Sequence, residues 1–214
     1  MKPSWIDQLY GWVIRHRNPL VQAFKVFFVL QIIFLFVGSW SIYHHDASWS
    51  FFYQLGVWSG KIALSVFILT SLPGIVRRFG RFNKLVSILM IFRRYLGISM
   101  YLFAIIHTGF VRYVLAIDHP ASLLHLATFE LFGTAASIML FSLFITSNDL
   151  SVEKLGSWWH KIHNLMYLIV WFIFLHVALQ RLSIWTLLIG ATSLAQVASF
   201  WYAKKSRSAV VDKT

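Results

Sequence analysis

Three histidines stand inside long apolar runs of this sequence: His107, His163 and His176. An ionisable group is costly within a bilayer and is usually retained there for function, and imidazole is a good ligand for iron and other transition metals. His107 follows Arg94 by thirteen residues, and His176 follows His163 by thirteen. With Arg94 and His163 each taken as marking the start of a helix, a rise of about 1.5 Å per residue puts both His107 and His176 about 20 Å along. Two imidazoles at one height on different helices can clamp one iron. On the two faces of a haem they leave no open position for oxygen, so such a centre passes electrons rather than activating a substrate. A lone membrane histidine also serves as an interhelical hydrogen-bond donor; the matched depth of His107 and His176 favours the ligand role. On an ideal wheel His163 and His176 lie about 140° apart, which is not one face, so their spacing does not by itself establish a second site. Gly97 and Gly109, near the ligands in sequence, are expected to let a planar ligand approach the backbone. His16, His44, His45, His119 and His125 fall in or beside loops and read as polar loop residues.

The elements that must hold these residues are membrane helices. Of 214 residues 58% are hydrophobic and only 12% charged, against about a quarter charged in an ordinary soluble domain; mean hydropathy is +0.69. Apolar runs predict spans at about 20–43, 52–76, 95–117, 127–147, 159–180 and 182–202. The fold class is therefore an all-α polytopic membrane bundle of about six helices. An interfacial amphipathic segment, 1–19, precedes the bundle at 20–202, and a polar tail, 203–214, follows it; no second soluble domain is expected to fit. Pro73-Gly74 is expected to close the second span, Asp118-His119-Pro120 to turn an outer loop, and Ser147-Asn148-Asp149 to cap the fourth span. Residues 82–92 are expected to form a separate short interfacial helix.

The net charge of +12 has a topological explanation. Lys2, Arg15 and Arg17, then Arg77, Arg78, Arg81, Lys84, Arg93 and Arg94, then Lys154 and Lys161, and finally Lys204, Lys205, Arg207 and Lys213 all fall to one side. They make fifteen of the nineteen Lys and Arg. The loops at 44–51 and 118–126 contain none. Both termini are expected in the cytoplasm by the positive-inside rule, with the basic excess on anionic lipid rather than nucleic acid. The absence of Cys excludes disulfides, thiolate metal sites and iron–sulfur clusters. No dinucleotide fingerprint, Walker loop, nucleophile elbow or zinc-protease motif is present, and the seven carboxylates form no pair suited to general acid–base hydrolysis.

The run Arg93-Arg94-Tyr95-Leu96-Gly97, then His107, then Leu155-Gly156-Ser157-Trp158-Trp159-His160-Lys161-Ile162-His163-Asn164, and His176 resembles the ferric reductase-like transmembrane domain over about residues 52–202. That family includes iron reductases and NADPH oxidases. Its larger members carry two ligands on each of two helices for two stacked haems, and add a cytosolic flavin and nicotinamide domain. Here Arg94 stands where the inner ligand of the third helix would be. The small size and lone histidine of that helix are most similar to the family's haem-binding subunits of methionine sulfoxide reductase systems. The resemblance implies haem b held by His107 and His176 and a place in the bacterial inner membrane. It also implies electron transfer to a periplasmic molybdenum-containing reductase of the MsrP type.

His163, with Arg93 and Arg94 beside it, is the expected site of electron entry. A guanidinium pairs in a fork with carboxylate or phosphate, so Arg94 is expected to hold a haem propionate or the phosphate of FMN. The expected donor is the quinone pool or a cytosolic flavin reductase. Two other readings fit the same residues: a ferric or related reductase with a different acceptor, and a haem or metal transporter with transient histidine ligands.

Overall fold

The computed structural model describes residues 4–114, 116–117 and 125–211, with side chains described as far as Ser206. The expected turn at Asp118-His119-Pro120 lies outside the described residues. Helices account for almost all of the rest, and among the described residues there is no strand. In chain order they are α1 (Trp5–Arg15), α2 (Arg17–Tyr43), α3 (Trp49–Arg78), α4 (Lys84–Thr108), a π-helical turn (Gly109–Tyr113), α5 (Thr128–Ile145), α6 (Asp149–Leu155), α7 (Ser157–His163), α8 (Met166–Gln180) and α9 (Ile184–Val211). Six stretches are long and apolar enough to cross a membrane, with α4 and the π-turn counting as one and α7 with α8 as another. The chain is a multi-pass membrane protein.

The burial pattern suits lipid rather than water. Phe36, Trp40, Leu187 and Leu194 point outward, while Gln31, Ser99, Thr192, Ser193 and Ser199 are buried. Without a hydrophobic drive between helices in lipid, interhelical hydrogen bonds and close packing take its place. Gln31 of α2 donates to the Ser99 carbonyl of α4, and the Ser99 hydroxyl donates back to Gln31 Oε1, each at 3.2 Å. Phe67, Tyr101, Leu140, Ile169, Val170 and Ile189 form the main apolar core, joining α3, α4, α5, α8 and α9.

Several sequence expectations need correction. Pro73 does not end its helix: α3 continues to Arg78. Membrane helices tolerate proline; in the turn before it Thr70 and Ser71 both donate to the Phe67 carbonyl. Residues 82–92 are not a separate helix. Asn83 caps a single helix by accepting from the Val86 N–H, and α4 then runs without a break to Thr108, so Arg94 lies three turns inside it. The fifth span is broken at Asn164 and Leu165, which removes the continuous wheel on which His163 and His176 stood about 140° apart. Asn148 caps α6, while α5 ends at Ile145. Glu130 lies in the first turn of α5 rather than deep in a span.

At the bundle end opposite the chain termini, Asp46 gathers the Ser41 hydroxyl and both the amide and hydroxyl of Ser48. These bonds, Ser41's foremost, hold its carboxyl below the usual carboxylate range. At the other end α1 docks on α4. Asp7 sits in a reciprocal cap with Ser4 and pairs with Lys84. Gly156, between α6 and α7, has φ +50°, a left-handed conformation that glycine adopts without a Cβ penalty.

Candidate functional site

His107 lies one residue before the end of α4 and His176 four residues before the end of α8, so both reach the same end of the bundle. His107 Nδ1 donates to the Gly56 carbonyl of α3 at 3.0 Å. His176 Nδ1 donates to the Phe129 carbonyl of α5 at 2.8 Å. A carbonyl only accepts, so each bond fixes the proton on Nδ1 and leaves the Nε2 lone pair for a metal; outer hydrogen bonds of this kind orient ligand histidines. The ring centroids are 6.5 Å apart and the planes inclined at 71°. Imidazoles on opposite faces of one metal ion would have centroids roughly 6 Å apart, given metal–nitrogen bonds of about 2 Å and the half-width of a five-membered ring.

Two glycines make room for the rings. A Cβ on Gly60 of α3 would come within 2.8 Å of His107 Nδ1, and one on Gly133 of α5 within 2.6 Å of His176 Nδ1. Gly97 and Gly109 do not do this: the first meets nothing within 4 Å and the second only Leu35, at an ordinary 3.5 Å. The cradle glycines lie on α3 and α5, helices other than those that carry His107 and His176.

Both histidines line a cavity of about 790 Å³ whose walls include Leu64, Phe67, Leu140 and Ile173, within the size range of a site for a cofactor-sized ligand. Among the described residues no three His, Asp or Glu side chains converge. Two imidazoles alone are a sparse set for a bare ion, which typically takes four ligands, but they suit a macrocycle that supplies its own equatorial nitrogens. The site therefore fits a haem. Lys61 also lines the cavity, a residue that the motif pattern does not single out; a lysine within an apolar run is the signal that points to it.

His163 lies apart from this pair, at the opposite end of its span. Its Nε2 is 3.2 Å from the Thr146 hydroxyl, and its ring stacks on Trp159 with centroids 3.9 Å apart. The Trp159 indole donates to the Thr146 carbonyl at 2.9 Å, so the end of α5 fixes both rings. The charges of Arg93 and Arg94 act on His163. Arg94 pairs with the exposed Asp149 at 2.8 Å. Arg93 lines a small cleft of about 100 Å³ with Arg77, Arg78 and Tyr167.

No family model matches the chain, and no solved structure matches it. Curated proteins do. A protein of Pectobacterium carotovorum subsp. carotovorum strain PC1, named the haem-binding subunit MsrQ of protein-methionine-sulfoxide reductase, is 30% identical over 115 residues, 52% of this chain and 56% of that one. The protein of the same name from Rhizobium meliloti strain 1021 is 27% identical over 173 residues, 78% of this chain and 74% of that one. The one from Agrobacterium fabrum strain C58 is 31% identical over 140 residues, 63% and 60% of the two chains. The chain is thus similar to MsrQ, and it spans just over half the length of the first of these curated relatives.

Proposed function

We propose that this chain is a haem-binding membrane subunit that carries electrons across the bacterial inner membrane to a periplasmic reductase. By likeness to MsrQ, that partner is a molybdenum-containing methionine sulfoxide reductase of the MsrP type. The observation that carries the reading is the facing pair His107 and His176, each with Nδ1 committed to a carbonyl, in a largely apolar cavity. Both histidines are proposed as axial ligands of one haem b, which when bound supplies a one-electron carrier with no vacant coordination position. Gly60 and Gly133 leave the rings room, and Leu64, Phe67, Leu140 and Ile173 give the cavity an apolar wall.

His163, Arg93 and Arg94 are proposed as the electron-entry region, at the end bearing the termini, which is taken as cytoplasmic. The donor proposed there is the quinone pool or a cytosolic flavin reductase, with FMN as a candidate second cofactor. For Arg94 to hold a propionate or a flavin phosphate it must exchange Asp149 for that anion. Asp149 is solvent-exposed, and exposed ion pairs are worth only about 0–1 kcal/mol, so the exchange is accessible.

The test is spectroscopic. Protein purified in detergent is expected to show a sharp reduced-minus-oxidised α band, which a transporter of free metal would lack, and His107→Ala or His176→Ala should each remove most of it. Reconstituted into vesicles with a reductant on the terminal side, the chain should reduce an MsrP-type protein on the far side. A full, unshifted spectrum in either variant removes that residue as a ligand. NADH oxidation by the purified chain alone would overturn the subunit reading.

A further inference from the structure

Two cations face the histidine cavity: Lys61 on the α3 wall, one residue from the Gly60 cradle, and Arg181 just past the end of α8. Among the described residues no Asp or Glu lines this cavity. Among the described residues the ion pairs join Lys84 to Asp7, Arg94 to Asp149 and Arg112 to Glu130, so neither Lys61 nor Arg181 is within 4.0 Å of a described carboxylate. The Lys61 ammonium lies 4.0 Å from the Trp58 ring centroid. That contact holds the charge at the wall without neutralising it. A lysine inside a span is costly and normally finds a partner, and here the described cavity lining offers apolar and polar side chains and a second cation, Arg181. A ligand that carries an anion and presents an apolar body to Leu64, Phe67, Leu140 and Ile173 would complement these walls.

The geometry points to Lys61 and Arg181 as the partners of the two propionate carboxylates of the bound haem, Lys61 on the α3 wall and Arg181 at the α8 end of the cavity. This rests on the haem reading above and adds to it the orientation of the macrocycle. His107 and His176 would hold the haem without setting its orientation in the cavity, which Lys61 and Arg181 would set through the propionates. Arg supplies a planar fork and Lys a point charge, and each contact is a charge-assisted hydrogen bond.

The experiment compares haemin with its dimethyl ester, in which both carboxylates are blocked. Apoprotein in detergent is titrated with each, in the wild type and in Lys61→Met, Arg181→Gln and the double variant. With about tenfold in affinity per charged contact, the wild type should prefer haemin by about a hundredfold. Each single variant should prefer it by about tenfold, and the double variant should not discriminate, while affinity for the ester stays unchanged throughout. The midpoint potential of bound haem should fall in each variant, because removing a nearby positive charge favours the ferric form. Lys61→Met removes a charge from a span and eases its insertion, and the ester comparison needs no variant at all. Equal binding of haemin and ester by the wild type, both with bis-imidazole spectra, overturns the propionate assignment and leaves the haem reading standing. Full discrimination in the double variant also overturns it. Failure of both compounds to bind removes the haem reading and this inference with it.

Discussion

Gly133 of α5 and His176 of α8 approach so closely that a Cβ on the glycine would lie 2.6 Å from the imidazole Nδ1. That separation is shorter than real Cβ atoms keep, and the ring cannot retreat without stretching its 2.8 Å bond to the Phe129 carbonyl. Gly133→Ala is therefore expected to rotate His176 out of place. Overpacking of this kind costs about 1–3 kcal/mol, which corresponds to about ten- to a hundredfold in haem affinity if the strain falls on the bound geometry. Gly60→Ala should act in the same way on His107, and Gly97→Ala, with open space around it, should change nothing. Haem titration of the three variants checks the set, and an unaffected Gly133→Ala would show that the ring has slack.

The entry region gives a separate prediction. His163→Ala removes the ring that stacks on Trp159 and meets Thr146, but leaves the His107 and His176 pair untouched. Haem content is expected to stay near that of the wild type, while reduction from a donor on the terminal side slows at least about tenfold. Stopped-flow reduction against a fixed haem signal separates the two effects. Unchanged kinetics together with unchanged cofactor content would remove His163 from the path.

The docking of α1 should depend on pH. Lys84, then Ser4, hold the Asp7 carboxyl below its ordinary value of 3.8. A carboxyl depressed in the folded state stabilises that state above the unfolded value and loses the contribution as pH falls through the folded one. Helix α1 is thus expected to stay docked at neutral pH and to loosen below about pH 4, with Asp7→Asn loosened at every pH. Amide exchange in residues 5–15 at pH 6 and pH 3 would reveal it, and equal protection at both would contradict the assignment.

Sidedness is set by charge. Reporter fusions at the C-terminus should report cytoplasm, and fusions in loop 118–126 the far side, because fifteen of nineteen Lys and Arg fall with the termini. The opposite pattern would reverse every assignment of inside and outside.

The histidine pair was legible in the sequence because intramembrane histidines are rare and helix rise turns spacing into depth. Arg94 does not start its helix, however, because α4 begins at Lys84. Both histidines reach the same end because each lies near the end of its own helix. Gly60, Gly133 and Lys61 were not legible as parts of the site, since each meets the cavity from a helix distant in sequence and only packing brings it there. The break at Asn164 and Leu165 carries no proline or glycine to announce it. Pro73 announced an ending, yet α3 runs on through it to Arg78.

The π-helical turn directly after α4 bonds the Val114 amide to the Gly109 carbonyl at 3.0 Å, so the chain there holds one residue more per turn than an α-helix would. Within it Arg112 reaches Glu130 at 3.2 Å. The turn thus behaves as a one-residue insertion absorbed in place, and the bundle is keyed to chain length at this point. Deleting Gly109, Phe110 or Val111 would return the segment to regular α-helical winding and move Arg112 out of its present register with Glu130. The tie to α5 would break although both charges remained, so this segment is sensitive to the number of its residues as well as to their identity.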